Sequence, residues 1–370
     1  MHQIPFLIIF LDALSYKIFV NDFKSFNNGF ENLRYYKMLP AIGYSSNIHW
    51  LLFLGKTADK LGYFTDWNLI ENNYKNKKNL CSLSPLNYLY NIRPLNDIVR
   101  FLKGKIGLNN NNIPITEKNI FINKSCYYFN CKKSRFIEAF GKLFYFLNID
   151  NLSESIIKNK VKSLISRYNN IMLVSNKLDN IGHLKGPSSY EYEQSCIKLV
   201  NSIIYLLKEL EYSYPLNFIL LSDHGMSQIK AFIDILTPIY SKYGIPGNKY
   251  YLFCDSVYLR IWTRDKYLLE NIKKYLDDLY EIRFIDEDKR KVLGISNKRF
   301  GDLIYVLREG YVFYPNFFQV VLRRFPIGMH GYLEDTDSNC GVLISNIDFG
   351  VKTVINPYDL YKEIISIIKR

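Results

Sequence analysis

Asn217-Phe218-Ile219-Leu220-Leu221-Ser222 is an apolar run of strand length that leads directly into Asp223-His224-Gly225. A continuous run of this kind suits a strand covered on both faces, because a half-exposed strand alternates apolar and polar residues. The pattern occurs twice more: Pro5-Phe6-Leu7-Ile8-Ile9-Phe10-Leu11 ends at Asp12, and Asn170-Ile171-Met172-Leu173-Val174-Ser175 precedes Asp179. Ligands of open α/β sheets gather outside the carboxyl ends of the strands, so three runs leading into acids point to one shared crevice. Between the last two runs, Cys196, Leu199, Val200, Ile203, Leu207 and Leu210 recur at helical spacing, which predicts a helix over Ser188 to Leu210 crossing back over the sheet.

The 370 residues suffice for one large α/β domain with insertions, and a composition that is 48% hydrophobic excludes disorder of the whole chain. The formal charge of +13 would suit an anionic partner. Lys is nevertheless spread along the chain without a dense basic block, so nucleic acid is not the expected partner. Cysteines at 81, 126, 131, 196, 254 and 340 form no C-x-x-C pair and read as reduced thiols. The run from Ile4 to Leu14 is too short to span a bilayer, contains Asp12 and lacks a basic leader, so it reads as a core strand and cytoplasmic residence is the expectation.

Two segments break the strand-and-helix pattern. Residues 73–167 are polar and aromatic, include the Asn109 to Asn112 tract and carry helical patterns near Leu95 to Leu102 and Ser134 to Phe146. They are expected to form a lid-like insertion that chooses the substrate. Residues 250–318 combine strand-like Tyr250 to Trp262, a helical pattern from Lys266 to Tyr280 and strand-like Leu303 to Val312, as in a small α+β insertion. Pro357 to Ile368 reads as a closing helix.

The chemistry lies in few residues. Asp179 and His183 form a D-x-x-x-H pair, Asp223 and His224 are adjacent, and His330 lies in Gly328-Met329-His330-Gly331. Taken singly, each has an ordinary reading: Asp12 as a cap, Asp179 with His183 as a surface pair one turn apart, the Asp-His-Gly and Gly-x-His-Gly stretches as turns. Together, three carboxylates, three imidazoles and the hydroxyl of Ser45, in Gly43-Tyr44-Ser45-Ser46-Asn47, are enough to hold two zinc-like ions around a nucleophile. Carboxylates neutralise cation charge, imidazoles suit a borderline-soft ion, and a serine oxygen allows a covalent phosphoenzyme.

The order and context of these pieces resemble the alkaline phosphatase superfamily, in its type I phosphodiesterase/nucleotide pyrophosphatase branch. The resemblance rests on Phe10 to Leu14, Gly43 to His49, Leu178 to His183 with Gly186-Pro187, Ser222 to Met226, and Gly328 to Tyr332. It implies one catalytic domain over residues 1–370, a three-layer α/β/α sandwich around a mostly parallel sheet, with the two insertions above. It also implies two divalent ions, zinc by preference, one held by Asp12, Asp223 and His224 and the other by Asp179, His183 and His330. Ser45 would be the nucleophile between them, with Ser46 next in line, and His49 would be structural. Where the nucleotide pyrophosphatases carry an Asn that binds the phosphoryl group, this chain has Asp66 beside Trp67, an acid that repels phosphate unless protonated or turned away. The Cys-x-Pro-x-Arg signature of sulfatases is absent.

The expected activity is hydrolysis of phosphodiester or pyrophosphate bonds in a small phosphorylated substrate: a nucleotide, a nucleotide-sugar or another phosphodiester. A phosphomonoesterase or phosphoryl-moving mutase on the same scaffold would need a cation for the extra charge, for which Lys17 and Lys56 are candidates. A catalytically inactive basic binding protein is the remaining alternative.

Overall fold

The three apolar runs become neighbouring parallel strands in the computed structural model, which describes residues 4–23, 33–43, 48, 51–52, 55–61, 64, 67–68, 117–118, 145–244, 246, 249–316, 325–350 and 353–369. Phe6–Leu11 lies between Asn170–Ser175 and Asn217–Leu221. Leu11 sits opposite Ser175 and Phe10 opposite Leu221, so the three carboxyl ends are level. Tyr145–Asn148 adds a parallel edge strand beyond Asn170–Ser175. On the other side Gly341–Ser345 runs antiparallel to both Asn217–Leu221 and Arg34–Met38, and Val354–Ile355 closes the seven-stranded sheet.

Alternation along the strands explains why the runs are continuously apolar. Leu7, Ile9 and Leu11 enter one core cluster, Phe6, Ile8 and Phe10 the other. Ile171 and Leu173 divide from Met172 and Val174 in the same way, and Phe218 and Leu220 from Ile219 and Leu221. Successive side chains point to opposite faces, so a strand sandwiched by helices must be apolar throughout. One face is covered by the helices Glu154–Ile165 and Tyr190–Ser213, the latter burying Tyr192, Cys196, Val200, Ile203, Leu207 and Leu210 and capped by Ser189, whose hydroxyl accepts from the Tyr192 N–H at 3.2 Å. The other face is covered by Pro357–Lys369, which buries Leu360 and Ile364. The three-layer α/β/α sandwich around a mostly parallel sheet is therefore the fold. Each large apolar side chain moved fully from water contributes roughly 1.5–3 kcal/mol, so these two clusters supply the main driving force.

Backbone contacts divide the chain into two units, one of Met1–Gly55, Asn123–Gln228 and Pro326–Arg370, the other of Lys56–Ile122 and Ile229–Phe325. The second contains an antiparallel sheet in the order Tyr250–Cys254, Tyr258–Thr263, Leu303–Leu307, Ile282–Phe284, with the helix Lys266–Asp277. It reaches further back than the expected insertion of residues 250–318, because Ala231–Ile233 pairs with Tyr311–Phe313. The expected insertion of residues 73–167 ends earlier than Arg167: Tyr145–Asn148 belongs to the main sheet, and Val161 and Ile165 of the following helix pack into its core. Aromatic Tyr145-Phe146 favours an edge strand, and the helical pattern assigned to Ser134 to Phe146 overshot into it. The rest of that pattern, the one near Leu95 to Leu102 and the Asn109 to Asn112 tract lie outside the described residues. Cys196, Cys254 and Cys340 are buried thiols outside any disulfide. Among the described residues no helix is long and apolar enough to cross a membrane.

Candidate metal centre

Asp12 leaves its strand at the level where Asn170–Ser175 also ends, its N–H donating to the Ser175 carbonyl at 2.9 Å. Beyond Ser175 the chain turns into the helix Lys177–Lys185, which carries Asp179 and His183 on one face, four residues apart. Asp150 holds that turn. Its carboxylate accepts from the Ser175 hydroxyl at 2.6 Å and from the Asn176 N–H at 3.1 Å. Asp223 and His224 follow Asn217–Leu221, and Gly225 lets the chain pass a loop closely: a Cβ there would stand 2.0 Å from the Ser338 carbonyl oxygen. His330 follows Gly328–Met329, which pairs antiparallel with Ser227–Gln228 and is tied to the Asp179 helix by the Ile327 N–H donating to the His183 carbonyl at 2.8 Å. Gly328 is required at this crossing, since a Cβ would lie 2.5 Å from the Gly182 carbonyl oxygen.

All six of these predicted acids and histidines meet. His183 Nε2 stands 3.3 Å from Asp179 Oδ1, and His330 Nε2 3.5 Å from the same oxygen. His224 Nε2 is 3.3 Å from Asp12 Oδ1 and 3.5 Å from Asp223 Oδ2. The rings of His224 and His330 stack 3.7 Å apart at 6°. Donor atoms of Asp179, His183 and His330 lie within 4.8 Å of one another, and so do those of Asp12, Asp179 and His224. Asp179 thus belongs to both clusters, a sharing that the motif-based division into two separate triads does not anticipate.

The residues fit a cation centre on their own chemistry. Oδ1 of Asp12 and of Asp179 is buried without a well-aligned hydrogen-bond donor, as expected of carboxylates arranged to meet a cation. His183 Nδ1 lies 2.8 Å from the Gly328 carbonyl and His224 Nδ1 2.8 Å from the Gly225 carbonyl. Each backbone oxygen places the proton on Nδ1 and leaves the Nε2 lone pair facing the cluster.

Electrostatics follow from the crowding. Burial, with Asp223 and Asp179 nearby, pushes the Asp12 carboxyl well above its ordinary value of 3.8. Burial alone would raise Asp179 as well, but His183, His330 and His224 together hold it below the ordinary carboxylate range. His183 is raised, its burial outweighed by Asp179 and the Gly328 carbonyl. His330 is driven well below its ordinary value by burial and by His224 beside it.

Other predicted residues lie elsewhere. Ser45, Ser46, His49 and Asp66 fall outside the described residues. Lys17 and Lys56 are exposed. Among the described residues, no Lys or Arg ranks with the strongest influences on Asp12, Asp179, His183 and His330. Sequence reasoning missed Asp150, although Tyr145-Phe146-Leu147-Asn148-Ile149-Asp150 is a fourth largely apolar run ending in an acid. Tyr192 and Ser222, both buried beside the loops that carry Asp12 and His224, give no sequence signal beyond their positions in a helix and a strand end.

The family model for type I phosphodiesterase / nucleotide pyrophosphatase matches residues 132–333. Murine ectonucleotide pyrophosphatase/phosphodiesterase 5 has a similar structure, with a TM-score of 0.63 at 15% identity over 99% of this chain and 95% of that one. The human counterpart gives a TM-score of 0.62 at 15% identity with the same coverage. An inactive form of the murine protein in complex with AMP aligns at a TM-score of 0.63 and 14% identity, again over 99% of this chain and 95% of that one. No curated protein sequence matches the chain. With the family model covering more than half of its length, the chain belongs to the type I phosphodiesterase/nucleotide pyrophosphatase family.

Proposed function

We propose that this protein hydrolyses phosphodiester or pyrophosphate bonds of a small nucleotide-like substrate at a centre that holds two zinc-like ions, with Ser45 as the nucleophile. The observation that carries this reading is the convergence of Asp12, Asp179, His183, Asp223, His224 and His330 from four distant stretches of chain. Asp12, Asp223 and His224 would hold one ion, and Asp179, His183 and His330 the other, with Asp179 near enough to both to space them. Bound there, such ions supply Lewis acidity, neutralise phosphoryl charge and make a nearby hydroxyl acidic enough to attack.

The chain's own residues prepare the centre for that work. His183 and His224 are locked in one tautomer by backbone carbonyls, so each presents a single aimed nitrogen. Asp179 stays ionised through the imidazoles around it. The Asp12 carboxyl, which hydrogen-bonds Asp223, retains a proton to higher pH and gives it up when a cation takes its place. Ser45 would attack phosphorus as the bond to the leaving alcohol or phosphate breaks, and would carry the phosphoryl group until water displaces it from the serine oxygen, which splits one hard displacement into two.

A diester fits better than a monoester. The dianionic end of a monoester needs an Arg or Lys, and among the described residues no such group ranks with the strongest influences on Asp12, Asp179, His183 and His330. Nucleotide chemistry is supported by family membership and by the AMP complex of the murine relative. The test combines metal analysis with kinetics: protein purified without chelator should contain close to two zincs per chain, and Asp223→Ala should abolish turnover of a chromogenic phosphodiester. Undiminished turnover in that variant would sink the reading.

A further inference from the structure

Directly after Asp12, Ala13 adopts φ 64°, the only positive φ recorded for a non-glycine residue among the described residues. A Cβ in the left-handed region costs roughly 1–2 kcal/mol, so the conformation persists only where surrounding contacts impose it. Two buried hydroxyls do so. The Tyr192 hydroxyl donates to the Ala13 carbonyl, reaching across from the helix Tyr190–Ser213. The Ser222 hydroxyl accepts from the Leu14 N–H at 2.8 Å and donates to the His224 carbonyl at 2.7 Å.

Ser222 therefore uses both its donor and its acceptor to join two loops that are 208 residues apart in the chain. One loop carries Asp12, the other Asp223 and His224. Ser222 and Tyr192 are both fully buried, so water cannot replace either hydroxyl without rearrangement. These hydrogen bonds fall on the loops of Asp12, Asp223 and His224, and Tyr192 also borders the helix of Asp179 and His183, its ring 3.1 Å from where a Cβ on Gly182 would stand.

We propose that Tyr192 and Ser222 are positioning residues that aim the Asp12 carboxylate at Asp223 and His224, and so set the ion affinity of that half of the centre more strongly than that of the half at His183 and His330. This rests on the two-ion reading above. Support behind a metal ligand is typically worth about 10–100-fold in affinity, and a bend forced into an unfavoured conformation leaves little slack for its neighbour to compensate.

The test is a cobalt(II) titration of metal-free protein in competition with a chelator, with visible absorption reporting each ion and thermal unfolding recorded in parallel. Tyr192→Phe keeps the ring and removes only the hydroxyl; Ser222→Ala is the harsher change. Each should weaken one of the two binding steps at least ~10-fold and the other by clearly less. Tyr305→Phe removes another phenol hydroxyl that donates to Asp277 at 2.8 Å in the second unit, and it should lower stability without changing either step. Two unchanged steps in Tyr192→Phe, or equal weakening of both, would overturn the inference while leaving the two-ion centre intact. A wild-type protein that takes up no cobalt would instead remove the functional reading, and this one with it. If Ser222→Ala fails to fold, Tyr192→Phe alone decides.

Discussion

Arg260 and Asp255, in the antiparallel sheet of the second unit, are as thoroughly buried as Asp223 and His224 at the edge of the seven-stranded sheet, yet the two places neutralise their charge by opposite means. Arg260 has its counter-ion built in. Burial pulls its guanidinium down to about 9 while Asp255 opposes the shift, and burial pushes Asp255 up while Arg260 opposes it. The rings of Phe253, Phe64 and Trp262 surround the guanidinium with centroids at 4.8, 5.3 and 5.3 Å. The candidate metal centre gathers Asp12, Asp179 and Asp223 with imidazoles, and among the described residues no fixed cation ranks with the strongest influences on Asp12 and Asp179. One cluster carries a cation of its own and the other collects carboxylates and imidazoles suited to a cation from outside, which is why the proposed function is placed at the second.

The largest expected effect of that difference is on rate. His224→Ala should cut turnover of a chromogenic phosphodiester by about three orders of magnitude, the equivalent of some 4 kcal/mol of transition-state stabilisation. Arg260→Met should leave kcat/KM within a few-fold of wild type. A large rate loss in Arg260→Met would break the comparison.

Ion removal comes next. Each ion supplied at a thousandfold over its dissociation constant adds about 4 kcal/mol to stability, so chelated protein should unfold at distinctly lower urea. Arg260→Met should lower stability by about 3 kcal/mol whether or not chelator is present, because it strands the Asp255 carboxylate. Asp255→Leu combined with Arg260→Met should recover part of that loss, and a double variant worse than the single one would argue against a self-contained pair.

A smaller effect concerns pH. In chelated protein the raised Asp12 carboxyl contributes stability that is fully present below 3.8 and is lost as pH rises through its higher folded-state value. Ion uptake requires that proton, and the one on His183, to leave. The gain in melting temperature on adding zinc should therefore grow between about pH 5 and about pH 8. A gain that shrinks over this window contradicts the assigned ligands.

Much of the architecture could be read before any coordinates. Phe6–Leu11, Asn170–Ser175 and Asn217–Leu221 announce themselves because burial on both faces leaves no polar position along them. The helix Tyr190–Ser213 is legible because only one of its faces is covered, which leaves a period in the sequence. Tyr145–Asn148 escaped because four residues at a sheet edge carry too little pattern to stand out from polar, aromatic surroundings.

The chain by itself determined the chemical inventory: which acids end strands, which histidines stand beside acids or glycines, and that their types suit borderline-soft cations. Tertiary structure alone decided that Asp179 serves both clusters, that His224 and His330 stack, that Asp150 anchors the turn before Asp179, and that Ala13 is bent by hydroxyls from Tyr192 and Ser222. The reason is range. Strand and helix patterns arise from contacts repeated every few residues, whereas these contacts join residues as distant in the chain as Asp12 and His224, which nothing local in the sequence encodes.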